Sequence, residues 1–179
     1  MKQSTTEFYD LRPRDLKGRP FYFDQLKGKI VVIVNTASRC GFNEQFQGLE
    51  ALHKKFAGQP VEIIGFPCNQ FKQQEPEDDT QIAIYYKVYF GITFPILAKI
   101  NTNGPQADPV YRYLKKQKRG VLGLARIKWN FEKFLIDAQG NVVARFSTFT
   151  TPEAIGVKIE EMLRSMQTTG PPAATTSGQ

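Results

Sequence analysis

Cys40 is the residue in this chain best suited to covalent chemistry. It follows the β-branched run KIVVIVNTAS, Lys29 to Ser38, and precedes a segment with helical periodicity. A cysteine at a helix N-terminus meets the partial positive charge of unpaired backbone N–H groups, which favours thiolate, the nucleophilic form, over thiol. That matters because an unperturbed thiol is only about 3% ionised at pH 7. Arg39 adjoins it as a further cation, although an adjacent side chain in a turn can as easily point away, and neither Arg39 nor Gly41 suggests burial. Asn43 stands where a two-cysteine redox pair would carry its second thiol. The alternative for a lone cysteine is a small buried hydrophobe.

The other residues with reactive side chains point elsewhere. Cys68 is the only second cysteine and follows VEIIGFP, Val61 to Pro67, which reads as a buried strand next to the one leading to Cys40. Neighbouring strands are about 4.8 Å apart and a disulfide needs Cα atoms within about 7 Å, but Cys40 has already passed into the next helix. A structural thiol is therefore favoured over a Cys40–Cys68 bridge. His53, the one histidine, sits beside Lys54 and Lys55 at a helix end and reads as solvent-facing. Two cysteines and one histidine leave no zinc-ligand spacing and no disulfide framework, so no metal and a reducing compartment are expected.

Stepping outward from Cys40, the elements that must hold it alternate in type. Phe8 to Phe23 reads as an N-terminal hairpin or irregular arm. Apolar residues at Phe46, Leu49, Leu52 and Phe56 predict a helix over Asn43 to Phe56. Asp78, Asp79 and Thr80 cap a second helix running to Phe90, and ITFPILAKI is strand-like around Pro95. PVYRYLKK, from Pro109, is a short helix. Phe131 to Ile136 and Val142 to Phe146 flank Asp137–Gly140 as a hairpin, and Thr151-Pro152 opens a last helix to about Arg164. This order predicts an α/β thioredoxin-like fold with a central mixed β-sheet flanked by helices. Chemistry in open α/β sheets lies beyond the carboxyl ends of the strands, which is where Cys40 falls.

At 179 residues and 41% hydrophobic content the chain suits one domain, assigned to 1–166, with the polar stretch 167–179 as a disordered tail. Lysine and arginine outnumber aspartate and glutamate by 24 to 17, for a formal charge of +7. The basic residues are scattered, with no polybasic run interleaved with aromatics, so nucleic acid is not expected as a partner. A solvated basic face is one reading of the charge and an anionic membrane surface the other. MKQSTTEFYD has neither an apolar signal core nor an Arg-rich amphipathic pattern, which makes the cytoplasm the expected location.

Four segments in order, NTASRCGF (Asn35–Phe42), FPCNQFKQQEPE (Phe66–Glu77), TFPI (Thr93–Ile96) and KWNFEKFLID (Lys128–Asp137), resemble the glutathione peroxidase family. Its pattern is ASxCG, then FPCNQFGxQEPG, then KWNFxKFL, and the resemblance spans about Phe8 to Arg164. It implies Cys40 as nucleophile, with the Gln74 amide, the Trp129 indole N–H and the Asn130 amide as catalytic donors. Such neutral donors keep their role from acid to neutral pH, and donors fixed around developing charge are a main source of catalytic stabilisation. No bound cofactor is implied, only an external thiol reductant, glutathione or thioredoxin.

The departures from the pattern bear on the mechanism. Asn43 replaces a usual Thr, and Lys72 and Glu77 replace glycines, positions that often need positive φ. Thioredoxin-reduced relatives carry a resolving cysteine before the GxTFP segment, where this chain has Tyr86. The resulting expectation is a thiol peroxidase that reduces hydrogen peroxide and organic or lipid hydroperoxides through a Cys40 sulfenic acid. The alternative is a peroxide sensor that passes oxidation to a client protein by mixed disulfide. The segment from Tyr111 to Lys128 is too short for the loop that tetrameric relatives use in assembly, which implies a monomer with an open site.

Overall fold

The computed structural model describes residues 7–169. The β-branched run forms β1, Ile30–Thr36, all seven residues of which are buried. β1 is central: β2, Val61–Pro67, pairs with it in parallel, and β3, Lys133–Ile136, pairs antiparallel on its other side. β4, Val142–Phe146, completes the order β2-β1-β3-β4. The sheet is mixed and flanked by helices, as the alternation of elements predicts.

Covering both faces explains why β1 is apolar without alternation. Ile30, Val32 and Val34 face a core with Phe46, Ile63, Ile82, Leu135 and Ile155. That layer is supplied by α1 (Gln45–Lys55), α2 (Asp79–Phe90) and α4 (Pro152–Thr168). Val31 and Ile33 face the opposite core with Phe8, Phe23, Ile64, Phe66 and Tyr111, covered by the N-terminal arm and α3 (Pro109–Gln117). Each such fully buried aliphatic or aromatic side chain contributes roughly 1.5–3 kcal/mol.

Helix ends follow local chemistry. Asp78 accepts from Gln81 N–H at 2.9 Å, with Gly91 at φ 63° ending α2. Asp108 and Thr151 cap α3 and α4, each followed by proline in the first turn. Helix α4 passes the expected end at Arg164 because Met162, Leu163 and Met166 continue its apolar stripe against the core. Gln167 and Thr168, assigned to a disordered tail, are therefore helical, while 170–179 lie outside the described residues.

Two other expectations are corrected. ITFPILAKI is no strand: it makes isolated bridges from Ile96 to Gly65 and from Leu97 to Asp15, since Pro95 has no N–H to continue a ladder. It lies so close to β2 that a Cβ at Gly65 would sit 2.6 Å from Ile96 Cδ1. The N-terminal arm, by contrast, keeps its expected hairpin-like, irregular form: Phe21 and Phe23 N–H groups bond the carbonyls of Pro13 and Leu11, Arg14 bridges Pro20, and short 3₁₀ turns lie at Phe8–Asp10 and Phe23–Leu26. Strand β3 begins at Lys133, not Phe131, because Phe131 has φ 61°, outside the extended region.

Candidate active site

Between β1 and α1 the chain winds into helix gradually. Asn43, Gln45 and Phe46 N–H groups bond the carbonyls of Cys40, Phe42 and Asn43 at 3.0 Å each, tight turns that lead into Gln45. Phe42 N–H donates to Cys40 Sγ at 3.4 Å. Asn43 donates from Nδ2 to Ser38 O at 2.9 Å and so closes the turn around Cys40. Contrary to the exposure suggested by its neighbours, Cys40 is only 2% exposed. It belongs to the core layer containing Phe46 and Phe131, against which half-buried Phe42 and Trp129 also pack.

A buried carboxylate fixes this turn from below. Glu75, fully buried, accepts from Ser38 N–H at 2.8 Å and Ser38 Oγ–H at 2.7 Å. The Tyr86 hydroxyl donates to Glu75 Oε2, and Thr36 Oγ1 lies 2.9 Å from that phenol oxygen. Burial pushes the Glu75 carboxyl above its ordinary range, against the pull of the Tyr86 and Ser38 donors. Burial likewise holds the Tyr86 phenol well above its usual value. The Arg39 side chain pairs with Glu77.

The predicted donors gather at the same end of the sheet. Arg39 N–H bonds Gln74 O at 3.0 Å, joining the Cys40 turn to the second motif. Asn130 Nδ2 donates to Gln74 Oε1 at 2.9 Å, a bond that engages the Gln74 oxygen and not its Nε2 hydrogens. Asn35 Nδ2 holds Trp129 O at 2.9 Å, Phe131 N–H reaches Asn35 O at 2.7 Å, and Thr148 Oγ1 donates to Asn130 O at 2.7 Å. The left-handed turn at Phe131 is thus locked to the end of β1. Trp129 meets Phe71, ring centroids 6.0 Å apart, and the Lys72 ammonium, 5.8 Å from its ring centroid.

Gln74, Trp129 and Asn130 are therefore brought together, but among the described residues the only hydrogen bond to Cys40 Sγ is that from Phe42. Lys72 has φ 54° and Gln73 φ 52°, so lysine occupies a left-handed position that glycine would take without strain. Cys68 is buried in the opposite core layer from Cys40, near Gln70 and Thr102, and burial raises its thiol. Both cysteines are free. Among the described residues no group of acidic, histidine or cysteine side chains is arranged to hold a metal, and no helix is long and apolar enough to cross a membrane.

Sequence reasoning passed over Ser38, Glu75 and Lys133. Lys133 is buried on β3 and donates from Nζ to Thr148 O at 3.1 Å and Thr150 O at 2.6 Å. A polar residue at a core-facing strand position, alternating with Phe134, was the signal that could have found it.

This architecture is thioredoxin-like. A thioredoxin-family thiol:disulfide interchange protein from Chlorobium tepidum superimposes with a TM-score of 0.65 at 20% identity, covering 91% of this chain and 99% of that one. Residues 8–115 match the glutathione peroxidase family, and the chain belongs to it. A glutathione peroxidase-like peroxiredoxin, HYR1 of Saccharomyces cerevisiae, is 54% identical over 90% of this chain and 99% of its own. A hydroperoxy fatty acid reductase of Synechocystis is 40% identical over 90% and 98%. The apo crystal structure of Trgpx, 43% identical, has a TM-score of 0.74 over 90% of this chain and 97% of that one.

Proposed function

We propose that this family member is a thiol-dependent peroxidase in which Cys40 is the nucleophile and both resolving thiols come from outside the chain. The Cys40 thiolate attacks the terminal oxygen of a hydroperoxide. The O–O bond breaks, Cys40 becomes a sulfenic acid, and the departing alkoxide takes a proton to leave as water or alcohol. Gln74, Trp129 and Asn130 stabilise the developing negative charge as neutral donors. One external thiol condenses with the sulfenic acid, releasing water and leaving a mixed disulfide. A second thiol reduces that disulfide and restores Cys40.

The observation that carries this reading is the convergence of the Cys40 turn, the Gln74–Asn130 hydrogen bond and Trp129 at one end of β1. External resolution is favoured because Tyr86 fills the resolving position and Cys68 is buried across the sheet. Glutathione or thioredoxin can supply the thiol. The name of the Synechocystis relative, a hydroperoxy fatty acid reductase, favours peroxides that include fatty acid hydroperoxides. Exposed Val121, Leu122 and Leu124, flanked by Lys118, Arg119, Arg126 and Lys128, suit a monomer that meets such substrates at an anionic lipid surface. A sensor role is favoured by the same lack of an internal resolving thiol, which would prolong the sulfenic acid.

Peroxide consumption by purified protein tests this directly, with glutathione compared with a thioredoxin system. Cys40→Ser abolishes turnover with either reductant, and Cys68→Ser keeps most of it. Equal loss in both variants, with folding intact, would make Cys68 the resolving thiol. Negligible turnover with either reductant, alongside mixed disulfides to Cys40 trapped in cells, would favour the sensor.

A further inference from the structure

We infer that Phe149, set against Phe42, is a specificity-determining residue that receives the apolar substituent of an organic hydroperoxide. The inference rests on the peroxidase reading and deepens it.

Phe149 is 78% exposed, and a single exposed aromatic would ordinarily need no explanation. This one is held in place from several sides. The carbonyls before and after it, Thr148 O and Thr150 O, both accept from the buried Lys133 ammonium. Thr148 O also accepts from Gln45 Nε2 at 2.7 Å, and Thr150 N–H reaches Ser147 O at 3.1 Å. A lysine withdrawn from water with only backbone carbonyls on its nitrogen is a costly anchor for a loop that presents one phenyl ring to solvent.

The ring's position ties it to both halves of the site. Its centroid lies 5.5 Å from that of Phe42, edge to face at 82°. Phe42 is the residue whose N–H bonds Cys40 Sγ. On the other side, Thr148 donates to the Asn130 carbonyl. The two phenyl rings therefore form an apolar ledge that adjoins the nucleophile's turn at one end and the donor loop at the other. Cys40 itself is buried, so a bulky substrate can present only its peroxide end to the sulfur and must leave its hydrocarbon part outside. The ledge offers an apolar surface beside the turn that holds the sulfur. Hydrogen peroxide has no hydrocarbon to place there, which separates the two substrates.

Rapid-mixing oxidation of reduced protein by hydrogen peroxide and by a monomeric eighteen-carbon fatty acid hydroperoxide tests the assignment. Phe149→Ala is expected to lower the second-order rate with the fatty acid hydroperoxide about 5- to 10-fold, as the loss of partial aromatic burial implies, and to leave the hydrogen peroxide rate within about twofold. Phe149→Leu should fall between wild type and alanine. An equal slowing with both peroxides would make Phe149 a support of the Cys40 turn and overturn the inference, as would an unchanged rate with the fatty acid hydroperoxide. Binding of the matching hydroxy fatty acid to Cys40→Ser protein, followed by Trp129 fluorescence, keeps the two levels apart. Weaker binding on adding Phe149→Ala supports the ledge whether or not Cys40 is the nucleophile, and unaltered binding counts against it. Residual peroxide reduction by Cys40→Ser alone would overturn the assignment of Cys40 as the nucleophile instead.

Discussion

The hydroxyl of Tyr86 donates to the carboxylate of Glu75, and the same carboxylate holds Ser38, two residues before Cys40. A side chain on α2 is thereby coupled to the turn that carries the thiol. At about the position where the family resemblance implies a resolving cysteine, this chain has a residue, 1% exposed, that fastens α2 to the sheet. The ring adds to the fastening by packing on Phe46 at 4.7 Å.

Tyr86→Phe keeps the ring and removes the donor. It leaves a buried carboxylate short of one hydrogen bond, and the expected cost is about 1–3 kcal/mol of stability, measured by urea unfolding. The oxidation rate of Cys40 should fall as Ser38 and its turn loosen. An unchanged oxidation rate alongside the stability loss would confine the network to a structural role.

Tyr86→Cys should give a partial gain with thioredoxin, larger than any gain with glutathione, because an internal thiol competes at high effective concentration. Removing a fully buried ring costs on the order of 3–5 kcal/mol, which weakens α2 and eases the local unfolding that brings the new thiol to Cys40. Mass analysis after one equivalent of peroxide should find an intramolecular disulfide from Cys40 to the introduced thiol. A Cys40–Cys68 disulfide in the wild type would defeat the premise.

Gln74→Ala and Trp129→Phe each remove a donor without touching the thiol, so peroxide oxidation should slow roughly 10- to 100-fold while Cys40 stays open to alkylation. Gln74→Ala also frees Asn130 Nδ2 from its acceptor. If stopped-flow rates are unchanged in both variants, the donor assignment is wrong.

Lys133 makes stability depend on pH. Burial lowers its folded pKa to about 7, with the nearby Glu132 charge opposing the shift. Arg145, paired with Glu132, lies on the neighbouring strand. Between about pH 7 and the unfolded value near 10.4 the unfolded chain binds the proton that the folded chain gives up, so this group's contribution to stability rises with pH across that window. Urea midpoints at pH 7 and pH 9 should therefore differ more in wild type than in Lys133→Met. An equal difference in both proteins would show that Lys133 stays charged when folded.

Much of the frame was legible from local chemistry. The β-branched runs of β1 and β2, the caps at Asp78 and Thr151 and the turn at Asp137–Gly140 depend on neighbours a few residues apart, and local propensity encodes these directly. The order of the four motifs likewise pointed to Cys40 and Gln74 on loops after strands and to Trp129 and Asn130 at the start of the hairpin. What the sequence did not disclose depends on partners far along the chain. The thiol is buried because Phe42 and Trp129 close over its core layer, and Arg39 turns to Glu77 because the Gln74 loop folds back beside it. Phe131 ends the expected strand early because its left-handed turn is held by Asn35 from β1. Lys133 is buried because two carbonyls of a later loop await its ammonium, and Phe149 meets Phe42 only once that loop is pinned. Residue type and periodicity report what a segment prefers. Burial, ion pairing and the meeting of two rings are decided by which distant segments the packed sheet brings against it.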